Sequence, residues 1–106
     1  MRYVSTRGTA PVLGFEDVLL TGLARDGGLY LPEDWPQFTT AEIAKLAGQP
    51  YEAAALEIMR PFVGGEFSDE DLEQVIMEAY SGFRHRTVAP LVQIGPSDWI
   101  AELFHP

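Results

Sequence analysis

Hydrophobic and polar positions along the chain switch between two periods, and the switches mark the elements. Tyr3-Val4-Ser5-Thr6 is aromatic and β-branched, which predicts a short strand. Arg7-Gly8-Thr9-Ala10-Pro11 breaks it into a loop. Phe15, Val18, Leu19, Gly22 and Leu23 then recur at helical spacing, so a helix is expected from Phe15 to Ala24 with that face buried. Gly14 is its second-rank N-cap, and Glu16 and Asp17 complement the helix dipole. Asp26-Gly27-Gly28 stops the helix, and Leu29-Tyr30-Leu31 follows as an extended piece before Pro32.

The second half is mostly helical in pattern. Thr39 with Glu42 is a capping box ahead of Ile43, Leu46 and Ala47, and that helix ends at Gly48. Pro50 suits the first turn of the next, whose buried stripe is Tyr51, Ala55, Ile58 and Phe62. Pro61 lacks an N–H and should kink or end it near Phe62. Ser68 caps the last helix, with Leu72, Val75, Ile76, Ala79 and Tyr80 as its apolar face and Gly82 as its stop. Leu91 to Ile94 and Trp99 to Phe104 read as strands around a Gly95-Pro96 turn and form a candidate hairpin. The fold class is therefore α+β: a small, mainly helical domain of about four helices with short N-terminal and C-terminal strands.

Composition narrows the function. The 106 residues suit a single domain, 1–106, and 7 basic against 16 acidic side chains leave a net charge of −9. Nucleic acid and anionic membrane surfaces both need clustered Lys and Arg, so neither is an expected partner. There is no cysteine, which excludes disulfides, thiolate metal sites and a thiol nucleophile. No run approaches the roughly 20 apolar residues of a membrane span, and the first residues lack a signal-peptide core. Met1 reads as a native start, and a cytoplasmic location is expected.

No catalytic constellation stands out. His85, between Arg84 and Arg86, reads as a loop histidine without an orienting partner, and His105 as a structural residue. Asp69, Glu70, Asp71 and Glu73 point in different directions on a helix and read as a solvated first turn, not a metal site. Arg2, Arg7 and Arg25 gather near the first strand and helix, where ion pairing is the expected role. Gly27-Gly28 and Gly64-Gly65 match no phosphate loop. Lys45, the only lysine, sits on an amphipathic helix and reads as a solvated amine rather than a Schiff-base former. No metal and no cofactor is expected on the chain by itself.

The strings themselves carry more. Tyr3-Val4-Ser5-Thr6-Arg7-Gly8, then Phe15 to Ala24, then Asp26-Gly27-Gly28-Leu29-Tyr30-Leu31-Pro32, resemble the opening of threonine synthase. Tyr51-Glu52, Pro61-Phe62-Val63-Gly64 and Glu102-Leu103-Phe104-His105 follow in the family's order. The resemblance implies the small N-terminal domain of a larger α/β enzyme, a pyridoxal-phosphate lyase of fold type II. That enzyme converts O-phospho-L-homoserine and water to L-threonine and phosphate. It also implies that the lysine binding the cofactor lies beyond residue 106, so that the chain alone is inactive and its partner is the remainder of the same enzyme. Two positions depart from the family: Gly14 stands where a serine-like cap is usual, and Pro106 follows His105 where glycine is usual.

Three expectations follow for the site and its surroundings. Ser5, Thr6, Arg7, Asp26, Gly27 and Gly28 are expected to shape the cleft, because they are polar and Gly-rich amid helices. The terminal strands, Tyr3 to Thr6 and Trp99 to Phe104, should pair with a sheet supplied by the rest of the enzyme, since an apolar strand at the end of the chain looks like a cut inside a larger fold. A threonine-synthase-like phospholyase and a non-catalytic partner-binding module are the alternatives.

Overall fold

The computed structural model describes all of residues 1–106. Strand β1 (Tyr3–Ser5) and helix α1 (Phe15–Thr21) are followed by β2 (Tyr30–Pro32) and helices α2 (Thr40–Lys45), α3 (Tyr51–Val63) and α4 (Asp69–Tyr80), then β3 (Leu91–Gln93) and β4 (Trp99–Ala101). The α+β class and the four helices agree with the hydrophobic pattern.

Capping chemistry sets the helix starts. Thr39 Oγ1 accepts from Glu42 N at 3.2 Å, and the Glu42 carboxylate accepts from Thr39 N at 2.7 Å, closing the capping box. Ser68 Oγ accepts from Asp71 N at 3.0 Å. Helix α1 solves the same problem from a distance. Gly14 has no side chain to offer, and the Glu66 carboxylate accepts from Phe15 N at 2.9 Å and Glu16 N at 2.7 Å instead. These two backbone bonds hold the Glu66 carboxyl below its usual range. A Cβ at residue 14 would lie 2.5 Å from Glu66 Oε1, so the glycine is what lets the distant cap in.

The core is small. Val63, Leu72 and Ile76 are buried, with Phe15, Ala55, Leu56, Phe67 and Tyr80 packed around them. Helix α3 packs on α4, and α1 lies on α3. Burying each such aliphatic side chain is worth about 1.5–3 kcal/mol, so three of them carry much of the helical layer. Tyr3 joins that layer to β1: its ring meets Phe15 at 6.2 Å and its hydroxyl donates to Phe62 O at 2.7 Å.

Four details differ from the sequence pattern. Helix α1 stops at Thr21, because Gly22 takes a positive φ of 71° and its N–H caps Val18 O at 2.9 Å. Leu19 and Leu23, on the expected buried face, are exposed, as are Ile58 of α3 and Val75 of α4. Strand β4 ends at Ala101, not at Phe104. The expected pairing of Tyr3 to Thr6 with an outside sheet does not hold at Tyr3. Strand β1 pairs antiparallel with β2, Tyr3 opposite Pro32 and Ser5 opposite Tyr30. On its other edge Tyr3 exchanges two hydrogen bonds with Leu13, at 2.9 and 3.1 Å. At Tyr3 both edges are thus filled within the chain.

Candidate functional site

The six singled-out residues meet in one seam. Strand β1 delivers Ser5, Thr6 and Arg7 to the turn between α1 and β2, where Asp26 sits. The Ser5 hydroxyl donates to the Asp26 carboxylate, 2.8 Å from each oxygen. Gly28 N (2.9 Å), Ala10 N (2.8 Å), Thr9 N (3.1 Å) and the Thr9 hydroxyl (3.1 Å) complete the set. Five donors converge on one carboxylate and tie residues 5–10 to residues 26–28. Desolvation pushes the carboxyl up. The bonds from Gly28, Ser5, Ala10 and Thr9 outweigh it and hold Asp26 well below the usual carboxylate range.

The glycines are required by close approach. A Cβ at Gly28 would overlap the Ser5 hydroxyl and stand 2.9 Å from Thr6 Oγ1. Gly27 has φ +81°, and a Cβ there would lie 2.5 Å from Arg7 Nη1. The Arg7 guanidinium therefore lies over the turn, where Nη1 donates to Asp26 O at 2.9 Å. The Thr6 hydroxyl accepts from Leu29 N at 3.0 Å, and Tyr30 donates to Pro11 O at 3.0 Å. What projects is a rigid tip bearing exposed Thr6, Arg7 and Gly8. Thr9 and Ala10 are essential to this cluster, yet no local sequence rule links them to an aspartate so far along the chain.

The arginines divide. Arg2 forms the expected ion pair, with Glu33 at 2.8 Å. Arg7 contacts a backbone carbonyl rather than a carboxylate. His85 is not the unpartnered loop residue expected: its Nδ1 accepts from Thr87 N at 3.2 Å, and its ring lies 5.0 Å from that of His105, tilted by 53°. His105 Nε2 is 3.4 Å from Glu102 Oε1.

Lys45 lines a groove of about 550 Å³ between α2, α3 and α4, together with the carboxylate residues Glu42, Glu57 and Glu73. Three carboxylates would repel a phosphate-bearing cofactor. The surroundings of this lysine therefore do not fit pyridoxal phosphate.

Fold and seam together define a small helical α+β module with one carboxylate-pinned polar tip. The sequence model of the family described as Threonine synthase N terminus matches residues 2–80, and the chain belongs to that family. It is 55% identical to threonine synthase of Pseudomonas aeruginosa over 99% of its own length and 22% of that protein's. It is 39% identical to threonine synthase-like 2 of Homo sapiens, again over 99% of the chain and 22% of the relative. The crystal structure of PLP-bound threonine synthase from Brucella melitensis superposes with a TM-score of 0.90 at 56% identity, covering 99% of this chain and 23% of that one. The chain thus spans about a fifth of the length of the relatives it matches.

Proposed function

We propose that residues 1–106 serve as the N-terminal domain of a pyridoxal-phosphate-dependent lyase that converts O-phospho-L-homoserine and water to L-threonine and phosphate. The observation that carries this is that 99% of the chain matches one part, 23%, of PLP-bound threonine synthase at 56% identity. When bound, the cofactor supplies the electron sink for the substrate amino acid. In this reading its lysine lies outside residues 1–106, in the part of the enzyme that the chain partners, and Lys45 has no part in cofactor binding. No helix of the chain is long and apolar enough to cross a membrane, and the cytoplasm is the compartment we assign.

Within that reading the Ser5–Asp26 seam shapes the mouth of the active cleft. Ser5, Asp26, Gly27 and Gly28 hold the loop, and Thr6 and Arg7 are the side chains it presents. The support is the rigidity of an exposed polar tip whose cation is left without a carboxylate partner.

The test is kinetic, on the full-length protein. Wild type should release phosphate from O-phospho-L-homoserine and form threonine stoichiometrically. Arg7→Ala should raise KM or lower kcat while the fold is retained. Phosphate release without threonine would favour the alternative of a threonine-synthase-like phospholyase. Unchanged kinetics in Arg7→Ala would end the cleft-shaping role.

A further inference from the structure

The β3–β4 hairpin is built unlike the rest of the chain. Leu91 faces Ala101, Val92 faces Ile100 and Gln93 faces Trp99 in an antiparallel ladder. Directly opposed residues share a face, so Leu91, Gln93, Trp99 and Ala101 lie on one side and Val92, Ile94 and Ile100 on the other. Gln93 is the one polar side chain in the two strands, so both sides are predominantly apolar, and every residue of both strands is exposed. A sheet with one wet face alternates apolar and polar positions; strands apolar on both faces belong to a sheet covered on both sides. A lone two-stranded hairpin is also marginal in water.

The hairpin's edges are open as well. Ile94 N donates to Asp98 O at 3.0 Å and Glu102 N to Pro90 O at 2.9 Å. By the alternation of an antiparallel ladder, the amides of Leu91 and Gln93 point outward from β3, and those of Trp99 and Ala101 from β4. Beyond β4 the chain turns back: Arg84 N donates to His105 O at 3.1 Å, and the His85 and His105 rings meet at 5.0 Å, closing the loop just after α4. The hairpin is thereby held out from that layer with its faces bare.

The family match gives the occupant. It ends at residue 80, the last residue of α4, while similarity to the P. aeruginosa relative runs on over 99% of the chain. The hairpin therefore lies past the residues that the family model matches, and most of the relatives' length lies outside these 106 residues. We infer that the β3–β4 hairpin is a docking element whose two faces are both covered by the part of the same polypeptide that residues 1–106 do not span. The inference rests on the chain being one portion of a longer enzyme, as read above. Leu91 and Trp99 anchor one face, and Val92, Ile94 and Ile100 the other.

Hydroxyl-radical footprinting of the full-length protein tests this, with each residue's oxidation rate compared between the native and urea-unfolded states. In the structure Trp99 is 55% and Ile100 52% exposed. A bare hairpin therefore gives about twofold protection at each, and a covered one more than about tenfold. The expected result is the larger protection at both residues, constant across protein concentration. Twofold protection overturns the inference, protection on one face alone overturns its two-sided form, and protection that grows with concentration assigns the surface to a second copy instead. Phosphate release measured on the same sample separates the two readings: activity without protection sinks the docking inference, and protection without activity sinks the proposed reaction.

Discussion

Substituting Gly28 by Ala probes the seam at its tightest point. The new methyl group would overlap the Ser5 hydroxyl and lie 2.9 Å from Thr6 Oγ1 and 3.0 Å from Asp26 Oδ1. Ser5 is buried and its hydroxyl is already committed to Asp26, so it has no free rotamer to take up. Overpacking of this kind costs about 1–3 kcal/mol. The gain from a less flexible unfolded chain returns about 0.4–1 kcal/mol. A net loss of about 1–2 kcal/mol corresponds to about 5–30-fold more frequent opening of the seam. Native-state hydrogen exchange on the full-length protein reads this directly, because the amides of Thr9 and Ala10 are both held by Asp26. Ser5→Ala removes the atom that the methyl strikes first. The cost of Gly28→Ala should then shrink in a Ser5→Ala background, by a coupling of about 0.5–3 kcal/mol. Equal exchange rates in wild type and Gly28→Ala, or an equal cost in both backgrounds, would refute the reasoning.

Other predictions follow from the same geometry. The Asp26 carboxyl titrates lower when folded than when unfolded, so the stability it contributes is complete above the unfolded value of about 4 and is lost as pH falls toward the folded one. Denaturant midpoints should therefore drop as pH is lowered from about 5 to 3, and Asp26→Asn should flatten that slope. A slope unchanged in the variant would contradict this. Asp26→Asn should also loosen the tip even at neutral pH, because an amide nitrogen would face backbone N–H donors; faster exchange at Thr9 and Ala10 is the readout. Ile76→Ala, at a side chain only 2% exposed, should cost about 2–5 kcal/mol, whereas Val75→Ala, 54% exposed, should cost well under 1 kcal/mol. Comparable losses at the two positions would mean that α4 buries a different face.

Local chemistry made much of the fold legible. The Thr39–Glu42 box and the Ser68 cap are rules of three-residue spacing, and both formed as read. The apolar runs around Gly95-Pro96 declared their hairpin. What escaped was non-local. The cap of α1 comes from Glu66, which follows the αL turn after α3, and nothing in Gly14 announces it. Periodicity gave α1 a buried face, but Leu19 and Leu23 are bare because so little of the chain packs there. Val88 takes a φ of 58°, a conformation that no propensity scale assigns to a β-branched residue. The candidate site was legible as composition only: Ser5, Thr6, Arg7 and the Asp26 turn looked polar and Gly-rich. Their convergence on one carboxylate depends on β1 pairing with β2, a long-range register that fixes Thr9 and Ala10 as partners too.

The central claim is that these residues frame a reactive centre without supplying its amine. Lys45 is the only lysine among them, so Lys45→Ala in the full-length protein is the most direct test. The cofactor's visible absorbance and the rate of phosphate release should both match wild type. Loss of that absorbance in the variant would show that the cofactor is bound within residues 1–106 and would contradict the account.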